Sequence, residues 1–583
     1  MKKSILSLAL LFSIYTVSTA ASVGQSSFPQ PWVDTRGYSS FASATATAAR
    51  LGRGVVVSTA MTISTATTVT VPVQVVKGGK YVRSGSGTLT IDGPFDAVKD
   101  KVFYGFSSYN LTVTKNANVD QFYAQWTGAV GDGTTDSTSA IQTAIDSLSD
   151  GGVVFFTPGK YLITSGLRVR TQGLWLAGGG PTRLYWPVVT NATELFLGAG
   201  FSGAMVTFEK DLLSQNTFGC GIRDLTFNGN SRTYGVDAAI HVQYSDVFTL
   251  SHVTITKVKG SGLLTGRTVR SYIANLDITD CGDTDKPGVF AGNIDSTGDV
   301  TQATTFVGLR IEGNYLSTYL TVSTHSQDNS FVGVNFETNA GVTDTYQTYI
   351  VLDGDRNSLS NIHMNKNAGA VPRVIIDTAG KHNVISNVIS GGESGGDIFH
   401  IYGYLNAISN VNISGAYADL WSFKFFQYAV HNTVHNAVIN GFQAAYFASA
   451  AINNTLNGIK VYTHRDIIIL DESTTHASTH LDDRNYYVNI TTDEHYYIDS
   501  AATVTLPWGH DYIVVLGTTN IDAIAEISGW PGRVIYLQFN DILTVNDTGS
   551  LALAGPFTSS ANDILTLIWA GGATWREVSR SVN

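Results

Sequence analysis

Cysteine is almost absent from this chain, which has only Cys220 and Cys281 among its 583 residues. So few cysteines exclude the disulfide framework that holds many small exported proteins together. The two are not spaced as a Cys-X-X-Cys pair, which argues against a structural zinc site. We expect two buried free thiols, with a single disulfide as the alternative, and the sequence indicates no metal and no cofactor.

Charged side chains are also scarce, at 14% of the residues, and the formal net charge is -11. An acidic surface repels the phosphate backbone, so nucleic acid is not expected as a partner. The same charge disfavours a strongly anionic polymer unless cations or a local basic patch intervene. Glycine, in contrast, is abundant with 58 residues, and Ser, Thr and Asn are frequent. This composition is typical of an all-β protein with many turns.

Long apolar runs are missing with one exception, the segment from Ile5 to Val17. Two lysines precede it and small residues ending at Ala20 follow it, which is the pattern of a secretory signal peptide. The run is shorter than the roughly 20 residues that a transmembrane helix needs. We therefore predict a signal peptide at residues 1–20 and a secreted protein (extracellular, periplasmic or at the cell surface) with no membrane span after its removal.

The segment Trp126 to Thr164 organises the rest of the chain. A tight turn at residues 131–133 leads to an N-cap at Thr135 or Asp136 and then to a helix, with two short apolar strands after it. A single amphipathic helix before a long run of strands is expected to cover the open end of a solenoid core. Its apolar stripe consists of Ala140, Ile141, Ala144, Ile145 and Leu148.

Residues 220–462 repeat the pattern x-x-φ-x-[N/G/D/H]-φ-x-φ, where φ is apolar. The steps of roughly 22 to 33 residues are the signature of stacked coils in a solenoid. The closing φ-x-φ places two side chains inward and the one between them outward. The repeats therefore predict a parallel β-helix. They begin at Cys220, Phe248, Ser271, Thr304, Asn329, Asn357, Asn383, Asn406, Asn432 and Asn454.

The repeats also divide the chain into regions. Residues 21–118 are a β-rich N-terminal region, which forms either lead-in turns of the same solenoid or a small separate module. Residues 119–480 form the β-helix. Residues 481–583 form a β-rich C-terminal module, with alternating apolar residues at 533–539 and 564–569.

The helix and strands of residues 126–164 closely resemble the entry segment of the pectate-lyase-like superfamily, which includes secreted polysaccharide-degrading enzymes and phage tailspikes. The resemblance implies a right-handed parallel β-helix with an N-terminal capping helix, and polysaccharide as partner. The C-terminal module resembles those that close or trimerise tailspike-like shafts, so a homotrimer is one expectation and a plain cap is the other. The chain lacks the paired-aspartate motifs and Arg-Ile-Lys tripeptide of polygalacturonase-type hydrolases. It also lacks the calcium-carboxylate and arginine signature of pectate lyases, so no catalytic residue is carried over.

Stacking the repeats brings two rows of outward side chains together. Neighbouring parallel strands lie about 4.8 Å apart, so Glu312 and Glu337 are expected to project side by side. Two carboxylates that close cannot both ionise freely, and one is expected to hold a proton. The two rows are Asp277, Arg310, Asn335, His363, Ile389 and Thr279, Glu312, Glu337, Asn365, Gly391.

We predict a catalytic site with Glu312 and Glu337 as acid and base, supported by Asp277, Arg310 and His363. A proton-holding acid beside an ionised partner is what hydrolysis of a glycosidic bond needs. A lyase would need a base, for which His363 or Arg310 could serve, and neutralisation of a uronate carboxylate. The structural alternative is a glutamate ladder along the stack with Arg310 as a simple ion-pair partner.

Secreted polysaccharide hydrolase or lyase is the leading interpretation of function. A non-catalytic carbohydrate-binding or adhesin-like shaft is the first alternative, and a sugar epimerase the second. We interpret three further polar sets as structural. The first is a second face with Asp353, Asp377 and His400 beside the turn residues Arg356, Lys381 and His382. The others are the acidic insertion residues Asp283, Asp285, Asp295 and Asp299, whose spacing fits no calcium loop, and an Asn turn ladder at 314, 339 and 367. Tyr402, Tyr404, Trp421 and Tyr446 are exposed aromatic candidates for stacking on sugar rings.

Overall fold

A computed structural model describes most of the chain. It covers residues 32–182, 192–201, 203–210, 215–283, 286–292, 300–313, 318–337, 348–365, 374–391, 397–414, 421–440, 443–448, 450–462, 469–471, 486–488, 491–492, 496–506, 511–525, 532–571 and 574–581. The predicted signal peptide lies outside these residues and stays a prediction. Among the described residues, no helix has both the length and the apolar character needed to cross a membrane.

Short parallel strands and one helix form the N-terminal region. Helix α1 (Phe41–Leu51) packs against β1, β2 and β3, and Ser40 caps it by accepting a hydrogen bond from the Ser43 amide. The sheets β1-β2-β5-β8, β3-β6-β9 and β4-β7-β10 are all parallel, so each coil gives one strand to each sheet. The strands are β1 (Val33–Asp34), β2 (Val55–Val57), β3 (Ala60–Ile63), β4 (Ala66–Val69), β5 (Val73–Val75), β6 (Lys80–Arg83), β7 (Thr88–Ile91), β8 (Phe95–Ala97), β9 (Phe103–Tyr104) and β10 (Leu111–Val113).

The middle of the chain is a larger stack with strands β11 (Phe122–Tyr123), β12 (Asp132–Asp136), β13 (Gly152–Phe155), β14 (Gly159–Ile163), β15 (Leu167–Val169), β16 (Leu174–Ala177), β17 (Thr193–Leu197), β18 (Val206–Phe208), β19 (Thr217–Phe218), β20 (Gly221–Asn228), β21 (Gly235–Asp246), β22 (Thr249–Thr256), β23 (Lys259–Val269), β24 (Tyr272–Thr279), β25 (Val289–Ala291), β26 (Thr301–Gln302), β27 (Thr305–Glu312), β28 (Leu320–Val322), β29 (Ser330–Glu337), β30 (Thr348–Leu352), β31 (Ser358–Asn365), β32 (Val374–Thr378), β33 (Val384–Gly391), β34 (Asp397–Ile401), β35 (Ala407–Ser414), β36 (Trp421–Phe425), β37 (Thr433–Asn440), β38 (Gln443–Phe447), β39 (Thr455–Tyr462), β40 (Ile469–Asp471), β41 (Tyr486–Val488) and β42 (Thr491–Thr492).

Two parallel sheets run the length of this stack. The first sheet has 18 strands and includes β20, β22, β24, β27, β29 and the odd-numbered strands from β31 to β39. The second sheet has 14 strands and includes β15, β18, β21, β23, β25 and the even-numbered strands from β28 to β40. Each coil passes from one sheet to the other and then returns one strand further along, which confirms the predicted all-β parallel β-helix.

Each predicted repeat is one strand of the first sheet, beginning one residue after the predicted start. The Asn, Gly, Asp or His of the pattern has φ between 51° and 68° in every repeat, from Asp224 to Gly458. These residue types tolerate left-handed backbone at low cost. The residue therefore bends the strand into two halves, and the second half carries the two rows of the predicted site.

A buried asparagine ladder begins the later repeats. The Asn383 amide donates to Asn406 Oδ1 at 2.9 Å, and Asn406 Nδ2 donates to the Gly380 carbonyl at 2.9 Å. The ladder consists of Asn329, Asn357, Asn383, Asn406, Asn432 and Asn454, all at most 1% exposed. It satisfies backbone groups at the corner where the chain enters the first sheet. The predicted ladder at positions 314, 339 and 367 lies outside the described residues.

Two short helices lie in the entry segment, α2 (Ala124–Thr127) and α3 (Thr138–Ser147). The N-cap of α3 is Ser137, and Asp136 Oδ1 accepts from the Thr138 amide at 3.0 Å. The predicted turn leads into β12, because residues 132–136 pair with β14. Helix α3 packs against β10 and β15, so it lies between the N-terminal coils and the larger stack.

One continuous cluster of buried apolar side chains extends from Val33 to Val461. The N-terminal coils and the larger stack therefore share a core. Cys220 and Cys281 are buried free thiols, as predicted. Burial raises the pKa of Cys281 to about 12.

The C-terminal residues form a second core with 17 fully or nearly buried apolar residues between Val504 and Trp575. Strands β43, β45 and β47 continue in parallel, whereas β51 pairs antiparallel with both β47 and β52. The strands are β43 (Tyr496–Asp499), β44 (Thr503–Val504), β45 (Tyr512–Leu516), β46 (Ala523–Ile524), β47 (Val534–Phe539), β48 (Thr544–Val545), β49 (Leu551–Ala552), β50 (Phe557–Thr558), β51 (Ile564–Trp569) and β52 (Trp575–Ser581).

Candidate functional site

The backbone register brings together the residues that the repeats align. Asp277 pairs with Arg310 and Thr279 with Glu312 between β24 and β27. Glu312 pairs with Glu337 between β27 and β29. Each pair is therefore one strand spacing apart, about 4.8 Å.

Arg310 bridges the two glutamates. Its Nη2 lies 2.9 Å from Glu312 Oε2 and 3.5 Å from Glu337 Oε2. The Glu312 side chain is 4% exposed, whereas Glu337 and Arg310 are 27% and 32% exposed. Glu337 and Arg310 can therefore meet a large ligand, but Glu312 lies beneath them. Both glutamates therefore lie beside Arg310 as the register predicts, but Glu312 is covered and Glu337 is partly exposed.

Asp277 lies on the other side of Arg310 and is partly buried. Burial raises the pKa of its carboxyl above the usual value, and the nearby positive charge of Arg310 offsets part of this rise. Thr254 pairs with Asp277 on the next strand and is 2% exposed. Its hydroxyl donates to the Thr182 carbonyl at 3.2 Å, so Thr182 lies over this neighbour of Asp277. A carboxyl in this position retains its proton to higher pH than an exposed aspartate.

His363 lies two strands from Arg310 in the same row. Its Nδ1 is 3.2 Å from Asn335 Oδ1, and the residue is exposed. Asn335 therefore separates His363 from Arg310, and the histidine lies at the edge of the predicted cluster.

The row that contains Asp277 and Arg310 continues toward the N-terminal end of the stack, through residues outside the predicted repeats. Lys160 pairs with Glu194 across β14 and β17, and Lys160 Nζ is 3.7 Å from Glu194 Oε1. Lys160 Nζ also lies 3.3 Å from the centre of the Phe196 ring, and Asn228 Nδ2 donates to Glu194 Oε1 at 2.9 Å. Strands β14 and β17 lack the left-handed residue that marks each repeat. The alternation of apolar and polar residues within 193–197 was therefore the sequence feature that could have indicated this part of the row.

The second predicted face is a set of surface pairs. Arg356 forms two hydrogen bonds to Asp328, and Lys381 lies 3.9 Å from Asp355. Burial raises the pKa of Asp353. Of the aromatic candidates, Tyr402 stacks on Phe426 with centroids 4.3 Å apart and Trp421 lies 5.8 Å from Tyr446. Three of the acidic insertion residues, at 285, 295 and 299, lie outside the described residues, as does the Asp377 side chain.

The site and the coils around it match a known family. Residues 118–339 match the family model described as "Rhamnogalacturonase A/epimerase, pectate lyase-like". The match covers less than half of the chain, and over these residues the chain is similar to pectate-lyase-like proteins.

Relatives of this chain include the mannuronan C5-epimerases AlgE6 and AlgE4 of Azotobacter vinelandii. Each is 30% identical over 111 residues, or 18% of this chain. The match spans 12% of AlgE6 and 18% of AlgE4, so the chain covers only a small part of these relatives. Among solved structures, the gp42 tailspike of Acinetobacter phage vb_AbaP_AS12 is similar with a TM-score of 0.41 and 10% identity, over 79% of this chain and 81% of the tailspike.

Proposed function

We propose that this protein is a secreted hydrolase of polysaccharide glycosidic bonds, with Asp277 as general acid and Glu337 as general base. The observation that carries the proposal is the difference between the two carboxyls. Asp277 is partly buried with a raised pKa, whereas Glu337 is partly exposed and ion-paired with Arg310. Hydrolysis needs two carboxyls in different environments, one that gives a proton and one that accepts a proton.

In the proposed reaction Glu337 removes a proton from a water molecule, whose oxygen attacks the anomeric carbon. Asp277 gives its proton to the glycosidic oxygen, and the bond from that oxygen to the anomeric carbon breaks. From two strand spacings across the sheet and two residues along it, the Cα atoms of Asp277 and Glu337 are about 12 Å apart. Inversion requires carboxyls roughly 6.5–9.5 Å apart, so the proposal requires the two side chains to lean toward each other.

Glu312 and Arg310 have positioning roles in this proposal. Buried Glu312 fixes the Arg310 guanidinium at 2.9 Å, and Arg310 in turn orients Glu337. The charge of Arg310 is already matched by two carboxylates. It is therefore poorly placed to neutralise a uronate carboxylate, which a lyase requires, and this favours hydrolysis over elimination.

The test is a depolymerisation assay of the mature protein on a panel of neutral and acidic polysaccharides. It follows new reducing ends, absorbance of unsaturated uronate and the anomer first released. Asp277→Asn and Glu337→Gln are each expected to lower kcat by about 10²–10⁴. Glu194→Gln, in the same row but three strands from Asp277, is the matched control and should keep kcat within a few-fold.

Unsaturated products that survive both substitutions would overturn the proposed reaction and its site. If no polymer is cut but one is bound, the protein is instead a carbohydrate-binding shaft. A trimer in light scattering would support that second outcome.

Epimerisation is the second candidate, because the two curated relatives are C5-epimerases. An epimerase moves a carbon-bound proton and leaves chain length unchanged. Incubation of uronate polymers in deuterium oxide separates the two functions. Deuterium at C5 without new reducing ends would favour epimerisation.

A further inference from the structure

A groove of about 520 Å³ lies outside the candidate site, at the end of the second sheet. This volume is within the usual range for small-ligand sites. We name it the Phe218 groove, and its lining residues are Gln172, Lys210, Gln215, Asn216, Phe218, Asp246 and Arg267.

An exposed aromatic ring forms part of the groove wall. Phe218 is 51% exposed, although its strand neighbour Thr217 is fully buried. Phe218 pairs with Asp246 across β19 and β21, so its ring lies next to a carboxylate and not over the core. Its apolar face is therefore available to a ligand with both an apolar face and polar groups.

The other lining groups are hydrogen-bonding amides and cations. Asn216 Nδ2 donates to Asp246 Oδ1 at 3.3 Å, which fixes the amide beside Phe218. Lys210 Nζ lies 4.5 Å from the centre of the Tyr244 ring, and Arg267 pairs with Tyr244 on the next strand. Both cations line the groove, and Lys210 is held over the Tyr244 ring. The groove has two cations and one carboxylate in a chain whose net charge is -11.

We propose that the Phe218 groove binds an acidic saccharide. The ring face of Phe218 suits the apolar face of a pyranose, the amides suit its hydroxyls, and Lys210 and Arg267 suit its carboxylate. This local basic patch overcomes the repulsion expected from the overall charge. None of these residues belongs to the candidate site, so the inference does not depend on the proposed hydrolysis.

Titration calorimetry tests the proposal with four-sugar oligogalacturonate, oligomannuronate and oligoguluronate, and with the methyl ester of each. At least one acidic oligomer is expected to bind at least tenfold more tightly than its ester, with affinity that falls as salt increases. Phe218→Ala and Arg267→Gln should each weaken that binding about tenfold. Tyr109→Ala, which removes an aromatic side chain 95% exposed elsewhere, should leave it unchanged.

The proposal is overturned if no acidic oligomer binds more tightly than its ester. It is equally overturned if Phe218→Ala and Arg267→Gln both keep the wild-type affinity. Because binding and cleavage are measured separately, failure here leaves the proposed hydrolase function standing, and the reverse also holds.

Discussion

The Asp277 carboxyl is partly buried, and burial disfavours its charged form. Its pKa is raised because desolvation of the carboxylate outweighs the attraction of Arg310. The folded state therefore binds this proton more tightly than the unfolded chain does. The resulting stability is full below the unfolded pKa of about 3.8, and it is lost as the pH rises through the folded pKa.

Asp277→Asn is therefore expected to raise Tm relative to the wild type at pH 7, and to have little effect at pH 3. Calorimetry at both pH values measures the difference. Asp132→Asn is the control of opposite sign, because hydrogen bonds from Thr135 and Thr134 lower the pKa of Asp132. Its contribution is present above the unfolded pKa and lost at acid pH, so Asp132→Asn should lower Tm at pH 7. Shifts of the same sign in both variants would contradict this account.

Substitution of Arg310 is expected to lower the free energy of unfolding. Arg310→Met leaves the buried Glu312 and the partly exposed Glu337 without their shared cation, and loss of one partner of a buried pair costs about 3–5 kcal/mol. Because Arg310 is about one-third exposed, the lower end of that range is expected. Urea denaturation measures this loss as a change in the free energy of unfolding. Adding Glu312→Gln should restore part of the loss, and a double variant as unstable as the sum of both single variants would argue against the bridge.

At the scale of elements, two asparagine ladders differ in burial and in the groups that they bond. Asn406 is 1% exposed and bonds backbone groups of neighbouring coils, whereas Asn410, four residues later, is exposed and bonds Asn387 at 3.2 Å. The first ladder satisfies groups that water cannot reach, and the second occupies left-handed positions that Gly308 and Gly333 fill elsewhere.

Asn406→Ala is expected to destabilise the protein by about 1–3 kcal/mol, since it leaves buried amides and carbonyls unsatisfied. Asn410→Gly keeps the left-handed backbone and should change stability by less than about 1 kcal/mol. The free energy of unfolding in urea measures both. Equal effects of the two variants would show that burial does not distinguish the ladders.

The sequence predicted strand register well because each repeat carries its own marker, a left-handed residue followed by two inward apolar positions. Glu312 beside Glu337 and Asp277 beside Arg310 follow from that spacing alone. The burial of Glu312 did not follow, since Glu312 and Glu337 occupy the same repeat position and differ only in what covers them. The Phe218 groove was also missed, because its residues come from corners and from β19, β21 and β23, where the spacing varies.

At the scale of the whole molecule, the described residues contain two large cores. One extends from Val33 to Val461 and the other from Val504 to Trp575. Trp575 is fully buried, with its ring 5.2 Å from that of Trp569. Cores without shared apolar contacts can unfold separately.

Trp575→Ala is expected to remove about 3–5 kcal/mol from the second core only. Calorimetry should show two transitions in the wild type, of which this substitution lowers one. Phe331→Ala, which breaks the 4.4 Å stack with Phe306, should lower the other. One transition that shifts as a unit in both variants would contradict separate unfolding.

The antiparallel pairing of β51 has a consequence for self-association. A stack of parallel strands is a template, since its last strand presents the same unpaired amides and carbonyls as every strand before it. In the six-stranded sheet of the C-terminal residues, β51 reverses direction on β47 and pairs with β52, and β52 pairs with the edge strand β49. The parallel ladder β43-β45-β47 therefore has an antiparallel hairpin where its next parallel strand would bind. The hairpin acts as a terminator of that ladder, because a parallel strand of a second molecule finds those amides and carbonyls already paired.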